Sequence, residues 1–535
     1  MRAPGLPLLR HPREEAPEHR RPVVARFDQA HASTDGGAVL LTAFDAQLGL
    51  TTQLAACLSD RRDPDKIRHT VRELLQQRVF GLACGYEDAN DAARLAHDPL
   101  HKLAVGRDPL TGVALASQPT LSRFEHAVGP RALYRMGRTL AATVIAQHRH
   151  RLKGRARRIT IDLDPTDDPT HGQQALAFFN GHDDTWCSRP LVATLTFNDE
   201  PEQYLVAVVL RPGNSPAKRG AFGLLRTLLR QLRQAFPGTP LRVRVDGGFA
   251  GNDWLDVLEV ERVEYVVGLA NNPRLEQRAG RVLGEAYGLS KYSGRTEHVY
   301  GETRYAAQSW SHRRRGIIKA EVVRLPGREP TCNPRVVVTN LREAPAAVYA
   351  VYCQRGDREN RLKELHHRLA LDRTSGSQCW ANQFRVLLTA AAYVLLQALR
   401  HLAHGTDCAR AQVSTLRERL LKMAVWVALG APHRVAFAPH SPLGHDLAPG
   451  GRRSRRGIRL TSHLGSYRTV AQRDSTGDVC RESPAQVHAT TTCQLPTWKG
   501  RRPPQFATAT GAQESQADPE WRLLIHGPSL MNNAG

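Results

Sequence analysis

The chain has 535 residues, of which 74 are Lys or Arg and 51 are Asp or Glu, so its formal net charge is +23 at pH 7. Such a basic chain fits a partner with many negative charges, above all nucleic acid. No run reaches the ~18 apolar residues of a membrane-spanning helix, and the charged, Pro-containing start is unlike a signal peptide. The nine cysteines form no C-x-x-C pair, which argues against a zinc module or a disulfide framework and favours a reducing cytoplasm.

The first part of the chain is predicted to be helical. Residues 1–35 form a basic arm that we expect to be disordered, and residues 36–155 form a helical DNA-binding domain. Within it, the segment 70–85 has helical spacing and ends on a glycine. A further helix opens at 117–123 with a polar cap and a first-turn Pro. It suits a helix-turn-helix with Arg123 facing DNA, but the same signals mark any helix start.

Strand periodicity begins at residue 159. Ile159, Ile161 and Leu163 alternate with polar residues, as in a half-buried strand. The order that follows is β-β-β-α-β-α-β, which predicts three antiparallel strands and then crossovers in an α/β fold. The later strands are predicted at 191–197, 204–210, 241–246 and 264–269, and the helices at 219–236 and from about 252.

Two carboxylates lie at the end of the first strand. Asp162 and Asp164 are two residues apart, so their side chains leave the same face. More acids follow in the loop, at Asp167 and Asp168. Clustered carboxylates repel one another unless something compensates their charge, and a divalent metal facing a phosphate is one such compensator. The alternative is a solvated acidic turn in which Asp and Pro serve only the turn.

A further acid, Asp246, ends a later strand and precedes two glycines, which allow close approach of a backbone or a ligand. Alone, Asp-Gly-Gly is an ordinary turn signal. Residues 275–345 are then predicted to be strand-rich and basic. Their Trp310 either packs in a core or stacks on a displaced base.

A long helix is predicted from about 346 to 371, and a second from about 380 to 404. On the first helix, one stripe holds Tyr352, Arg355, Glu359, Lys363 and His366. A Glu between Arg and Lys suits a site that handles phosphate, although ordinary ion pairs on a solvated helix give the same pattern. Residues 406–535 are predicted to be a helical remnant and, from about 430, a disordered basic tail.

Together these residues resemble the DDE core of bacterial insertion-sequence transposases. Tyr352, Arg355 and Glu359 match that group's Tyr-x2-Arg-x3-Glu-x6-Lys signature, with His366 where the signature has Lys. Asp164-Pro-Thr is similar to the Asp-x-Thr of the first acid, and Asp246-Gly-Gly to the second. The 113 residues from Asp246 to Glu359 (359 − 246 = 113) resemble the branch with a β insertion before the Glu.

The resemblance implies an RNase H-like mixed sheet at 156–405 with a β-rich insertion at about 275–345, preceded by the α-helical domain. It also implies an enzyme that cuts element ends and joins them to target DNA by two-metal phosphoryl transfer. The implied ligands of Mg²⁺, for which Mn²⁺ could substitute, are Asp164, Asp246 and Glu359, with Asp162 as the substitute for Asp164. The implied phosphate contacts are Tyr352, Arg355, Lys363 and His366.

The implied partners are double-stranded DNA, as terminal inverted repeats and as target, and a second copy of the chain in the DNA complex. Two alternatives are a catalytically impaired DNA-binding descendant and an RNase H-like nuclease. We expect Asp164, Asp246 and Glu359 to converge on one site. We also expect truncation near residue 430 to leave the unfolding of the core unchanged, and His366→Lys to tighten DNA binding by about one phosphate contact.

Overall fold

The computed structural model describes residues 29, 31–170, 172–181, 184–428 and 434–437, apart from the side chains of residues 357–360, 434, 436 and 437. After a short strand, β1 (Ala32–Ser33), the first part is helical, as predicted. The helix at 70–85 is confirmed, with a capping box between Thr70 and Glu73 at its start and Gly85 at its end, in the left-handed conformation (φ 93°). The helices of this part are α1 (Ala38–Leu48), α2 (Leu50–Ala56), α3 (Val71–Cys84), α4 (Ala92–Leu95), α5 (Pro99–Ala104), α6 (Gln118–His126) and α7 (Pro130–Arg151).

A mixed sheet forms the centre of the molecule. Its elements are β2 (Ile159–Pro165), β3 (Asp168–Pro169), β4 (Phe178–Asn180), β5 (Thr185–Ser188), β6 (Leu191–Phe197), β7 (Tyr204–Val209), α8 (Ala221–Ala235), β8 (Leu241–Val245), α9 (Asn252–Val260) and β9 (Glu264–Leu269). The strand order is β7-β6-β2-β8-β9, while β3, β4 and β5 form a small separate sheet. Strands β2, β6 and β7 are antiparallel neighbours, and β8 and β9 run parallel to β2. This confirms the predicted RNase H-like sheet.

The segment after β9 extends this sheet but begins with a helix that the sequence prediction missed. Strands β10 (Glu297–Tyr305), β11 (Arg314–Val323) and β12 (Thr331–Thr339) continue it through β12 to eight strands. Before them lies α10 (Pro273–Ser293), so the prediction of a strand-rich segment at 275–345 is wrong for 275–293 and confirmed for the three strands from 297 to 339. The side chain of Asn272 caps this helix. The positions of its buried residues also have helical spacing, at Leu275, Ala279, Val282, Ala286 and Ser290.

The long helix predicted from 346 to 371 is two helices, α11 (Pro345–Cys353) and α12 (Gly356–Leu369). At the break the Arg355 N–H donates to Tyr352 O at 3.0 Å, an i to i−3 bond, and Gly356 is a weak helix former. Tyr352 therefore lies on α11 and Glu359 on α12. The single continuous stripe that we predicted is wrong in this respect.

The helix α13 (Cys379–Leu402) lies at the centre of the core. Every residue from 381 to 400 is buried, against α3, α7 and β7. It is the one described helix long and apolar enough to cross a membrane, yet 89 % of its apolar window is buried inside the protein. One hydrophobic cluster spans residues from α1 to Leu421, so the helical part and the sheet share a core.

The described chain ends in a small sheet. After α14 (Val413–Leu416), strand β13 (Val425–Ala428) pairs with β1 on one side and with β14 (Arg434–Phe437) on the other. The prediction that order ends near 430 is therefore wrong for 434–437. The prediction of a disordered arm is likewise wrong for residues 32–35, which contain β1 and the buried Asp35. The rest of the predicted disordered tail, and residues 1–28 and 30 of the predicted arm, lie outside the described residues.

Candidate active site

Asp164 and Asp246 end two neighbouring parallel strands in the same register. Strand β2 pairs with β8 from Ile159↔Leu241 to Asp162↔Arg244, a constant offset of 82 residues (241 − 159 = 244 − 162 = 82). The same offset places Asp164 opposite Asp246 (246 − 164 = 82), just beyond the last paired residues. Neighbouring strands lie about 4.8 Å apart, so the two carboxylates leave the same edge of the sheet side by side.

A single guanidinium holds these two carboxylates together. Nη2 of Arg355 lies 3.2 and 3.3 Å from the two oxygens of Asp164 and 3.4 Å from Oδ2 of Asp246. Burial of Arg355 opposes its charge, but the attraction of Asp164 and then of Asp246 outweighs that effect and raises the pKa of Arg355. The point between the two carboxylates, where Nη2 of Arg355 lies, therefore stabilises a positive charge.

The loop after Asp246 and the end of α11 complete this edge. Oδ1 of Asp246 accepts a hydrogen bond from the Gly248 N–H at 2.9 Å, which fixes the carboxylate at the start of the turn. The Tyr352 hydroxyl lies over β9, where a Cβ at Gly268 would be only 2.5 Å from it. Gly268 is therefore needed for the close approach of Tyr352, which brings the aromatic ring beside the two strand ends.

Glu359 lies on the helix that crosses this edge. Helix α12 starts just after Arg355, which contacts Asp164, and continues to His366, whose Nε2 is 2.9 Å from Oγ1 of Thr166. The backbone of Glu359 lies between these two contacts, one turn after Arg355. The side chain of Glu359 is outside the described residues, so its convergence with Asp164 and Asp246 stays a prediction.

Asp162 has a different role from the one we expected. Both of its oxygens accept from Arg244, at 2.7 Å from Nε and 2.8 Å from Nη2, and both side chains are fully buried. Arg244 also donates to Val351 O at 2.7 Å. Asp162 thus orients an arginine that fixes the end of α11 on the sheet, and its oxygens are not available as substitute metal ligands.

A family model for transposase DDE domain group 1 matches residues 15–448. The chain belongs to this family. No curated protein matches it. Members of the family cut and join DNA, bind DNA and typically use a divalent metal ion.

Of the residues expected to contact DNA, Lys363 and Arg123 lie on the surface of the transposase, whereas His366 does not. Lys363 and Arg123 are exposed. His366 is largely buried, with Nε2 at Thr166 and Nδ1 3.8 Å from Oδ2 of Asp372. The adjacent His366 ring holds the pKa of Asp372 below its usual range. Both ring nitrogens of His366 face protein groups, which argues against the expected contact of this side chain with a DNA phosphate.

Trp310 is a core residue, which was one of the two interpretations of its sequence. It is 8 % exposed. Its ring meets Tyr305 edge to face, with the ring centroids 5.4 Å apart, and the Arg314 guanidinium lies 5.5 Å from the ring centroid. The ring is therefore enclosed by protein and is not available to stack on a DNA base.

Sequence reasoning named Asp168 among the acids of the loop but did not predict that it is buried. Its Oδ2 accepts from Thr374 at 2.7 Å, and its Oδ1 has no hydrogen-bond partner among the described residues. Burial, with the nearby charge of Asp372, raises the pKa of Asp168 to about 8, although the bond from Thr374 acts in the opposite direction. No local signal separates Asp168 from the exposed Asp167, because the difference arises from tertiary burial.

The adjacent helices α7 and α8 form an arginine-rich surface. Neither helix contains an acidic residue, and Gln231 of α8 donates to Arg138 O of α7 at 3.2 Å. The exposed arginines are Arg131, Arg135, Arg138 and Arg149 on α7, and Arg226, Arg230 and Arg233 on α8, of which Arg233 is paired with Glu261. Such a surface attracts the phosphate backbone of DNA without regard to sequence.

Proposed function

We propose that this transposase cuts the ends of an insertion sequence and joins them to target DNA by metal-dependent phosphoryl transfer. The observation that supports this most strongly is the pair of in-register carboxylates, Asp164 and Asp246, on either side of one cationic nitrogen. The reaction needs carboxylates that can hold a metal ion near a phosphate, and strand ends and a helix can fix them there. Glu359 would be the third acid, contributed by α12.

The donor set fits Mg²⁺, with Mn²⁺ as a substitute. Carboxylate oxygens are the ligands that these hard ions prefer, and Nη2 of Arg355 already occupies a position for positive charge between Asp164 and Asp246. Asp164, Asp246 and Glu359 would hold the metal. When bound, the metal supplies Lewis-acid activation of the attacking and leaving oxygens of the phosphate.

The remaining residues of the site position the DNA. Arg355 contacts both acids and holds them side by side, and its charge suits a phosphate placed beside them. Tyr352 shapes the same edge, and Lys363 provides an exposed ammonium on α12. The arginines of α7 and α8 and Arg123 would bind the backbone further away, so their contribution weakens as salt rises.

The substrates would be the terminal inverted repeats of the element and a target duplex, and the reaction would take place in the bacterial cytoplasm, where that DNA lies. Joining two element ends to one target requires two sets of acids in one complex. A homodimer on DNA supplies them, because each copy contributes one site.

The test uses a supercoiled plasmid that carries the coding sequence with its flanking DNA. With Mg²⁺, the wild-type protein is expected to cut at the element ends, whereas Asp164→Asn and Asp246→Asn proteins bind the same DNA and do not cut. Asp167→Asn, an exposed acid of the same loop, is the matched control and keeps activity. Binding without cutting by the wild type would indicate the impaired descendant, and cutting without regard to the ends would indicate a nuclease.

A further inference from the structure

A short β ribbon continues from the strand that carries Asp164. The pairing of β2 with β6 ends at Pro165↔Leu191, and the segments that continue from these two strands stay hydrogen-bonded beyond that point. Asp168 pairs with Ser188, and the Thr170 N–H donates to Trp186 O at 2.8 Å. Thr170 is six residues after Asp164 (170 − 164 = 6), and Trp186 lies across the ribbon from it. At ~3.3 Å per residue along the ribbon and ~5 Å across it, Trp186 lies within about 25 Å of the acid.

Three aromatic rings face solvent on this ribbon, those of Phe178, Phe179 and Trp186, and the last two form a pair. Phe179 of β4 lies directly opposite Trp186 of β5, with ring centroids 6.3 Å apart at an angle of 63°. They are 50 % and 60 % exposed, although aromatic rings of this size usually contribute to a core. Their pairing places two adjacent rings on the ribbon that leads on from Asp164.

The ribbon under these rings is firmly held. Asn180 is buried and donates to Gly213 O at 2.8 Å, and a Cβ at Gly213 would lie 2.0 Å from Cys187 O. The buried Arg211 donates to Arg189 O at 2.9 Å, and to the carbonyl oxygens of Ala217 and Arg219. The ribbon therefore cannot fold its rings inward without breaking buried contacts, and the rings are exposed on a rigid support.

The size and the location of the pair indicate its occupant. The two rings expose on the order of 250 Å² together, well below the ~800 Å² per partner of a stable protein interface. Flat, sequence-tolerant stacking on aromatic rings is how proteins hold unpaired bases. A base beside a cut leaves the duplex at low cost because its strand is already interrupted.

We infer that Phe179 and Trp186 form a stacking platform for unpaired bases of the DNA strand beside the scissile phosphate. This inference rests on the proposed function, since it takes DNA at Asp164 and Asp246 as given. It assigns base contacts to a ribbon that follows the first acid, and not to Trp310 in the insertion.

The test measures binding without cleavage, in EDTA, so that it does not depend on the chemistry. The probes are a labelled mixed-sequence single strand of about 20 nucleotides and the same sequence as a blunt duplex. Phe179→Ala and Trp186→Ala are each expected to weaken single-strand binding about tenfold and to change duplex binding by less than about twofold. Trp186→Phe should keep most of the affinity, because it keeps a ring.

Tyr292→Ala is the matched control, since Tyr292 is 95 % exposed on α10 and should affect neither probe. Unchanged single-strand binding in the Trp186→Ala protein, or an equal loss on both probes, would overturn the platform. A shift of Trp186→Ala toward smaller particles in sedimentation, with single-strand binding unchanged, would overturn it in favour of a contact between copies. None of these outcomes bears on whether Asp164 and Asp246 cut DNA, which the plasmid assay decides separately.

Discussion

At the scale of single residues, charge balance around the strand ends explains most of the site. Asp164 and Asp246 lie side by side and repel each other, and Arg355 offsets that repulsion with one shared nitrogen. Two residues deeper in the same register, Asp162 and Arg244 form a fully buried pair. The same alternation of strand residues therefore produces a closed ion pair inside the sheet and an accessible pair of acids at its edge.

His366 is predicted to act through Thr166 and Asp372, and not through DNA. A lysine at this position would lose the bond to Thr166 and would have to leave a largely buried place to reach a phosphate. We therefore expect His366→Lys to leave the salt dependence of duplex binding unchanged, measured as the slope of log affinity against log salt. His366→Gln serves as the control that retains hydrogen bonding. A slope steeper by about 0.9 would instead reveal a new phosphate contact.

Asp168 is predicted to make the protein less stable as pH rises. Its pKa is about 8 in the folded chain and about 3.9 in an unfolded chain. Between these values the folded state binds more protons, so the stability falls as pH increases from about 4 to 8. Asn cannot ionise, and Asp168→Asn should therefore be more stable than the wild type at pH 8, by on the order of a few kcal/mol, with a much smaller difference near pH 4.

Denaturant unfolding at pH 4 and at pH 8 checks this expectation. Asp167→Asn is the control, because Asp167 is exposed in the same loop. If the difference in unfolding free energy between the wild type and the Asp168→Asn protein were the same at pH 4 and at pH 8, the raised pKa of Asp168 would be contradicted.

At the scale of elements, the strands were more predictable than the helices around them. The strands 191–197 and 264–269 match their predicted bounds, because alternation is a local signal. The break between α11 and α12 was not predicted, because it depends on Gly356. The helix α10 was not predicted either, because it lies in a segment whose composition is basic and typical of strands. The pairing of Asp162 with Arg244 also could not be predicted from local sequence, because it depends on the register between two strands that are 82 residues apart in the chain.

The segment after α13 is predicted to be essential for folding, at least as far as β13. It buries Leu416, Leu420, Leu421, Val425 and Val427, each worth about 1.5–3 kcal/mol, against a typical total stability of about 5–15 kcal/mol. Truncation after residue 412 should therefore abolish cooperative thermal unfolding in circular dichroism. Truncation after residue 437 should preserve the main transition.

Both outcomes are informative. A cooperative transition in the shorter protein would show that the last elements are dispensable. Loss of the transition in the longer protein would show that a folded unit lies beyond residue 437, contrary to the sequence prediction.

At the scale of the whole molecule, one core and a strong positive charge serve one reaction. The helical part and the sheet share a hydrophobic cluster, so α12 and the two acid-bearing strands are fixed on the same support. The net charge of +23 draws DNA to the molecule. The two acids at the sheet edge form a local negative site on a chain that is positive overall.

The most direct test of this account is Mn²⁺ binding to the DNA-free protein, followed by electron paramagnetic resonance. The account predicts that Asp164→Asn, Asp246→Asn and Glu359→Gln each weaken Mn²⁺ binding by about tenfold or more, and that Asp167→Asn does not. Wild-type Mn²⁺ affinity in the Glu359→Gln protein would show that α12 contributes no ligand, and it would contradict the convergence of the three acids.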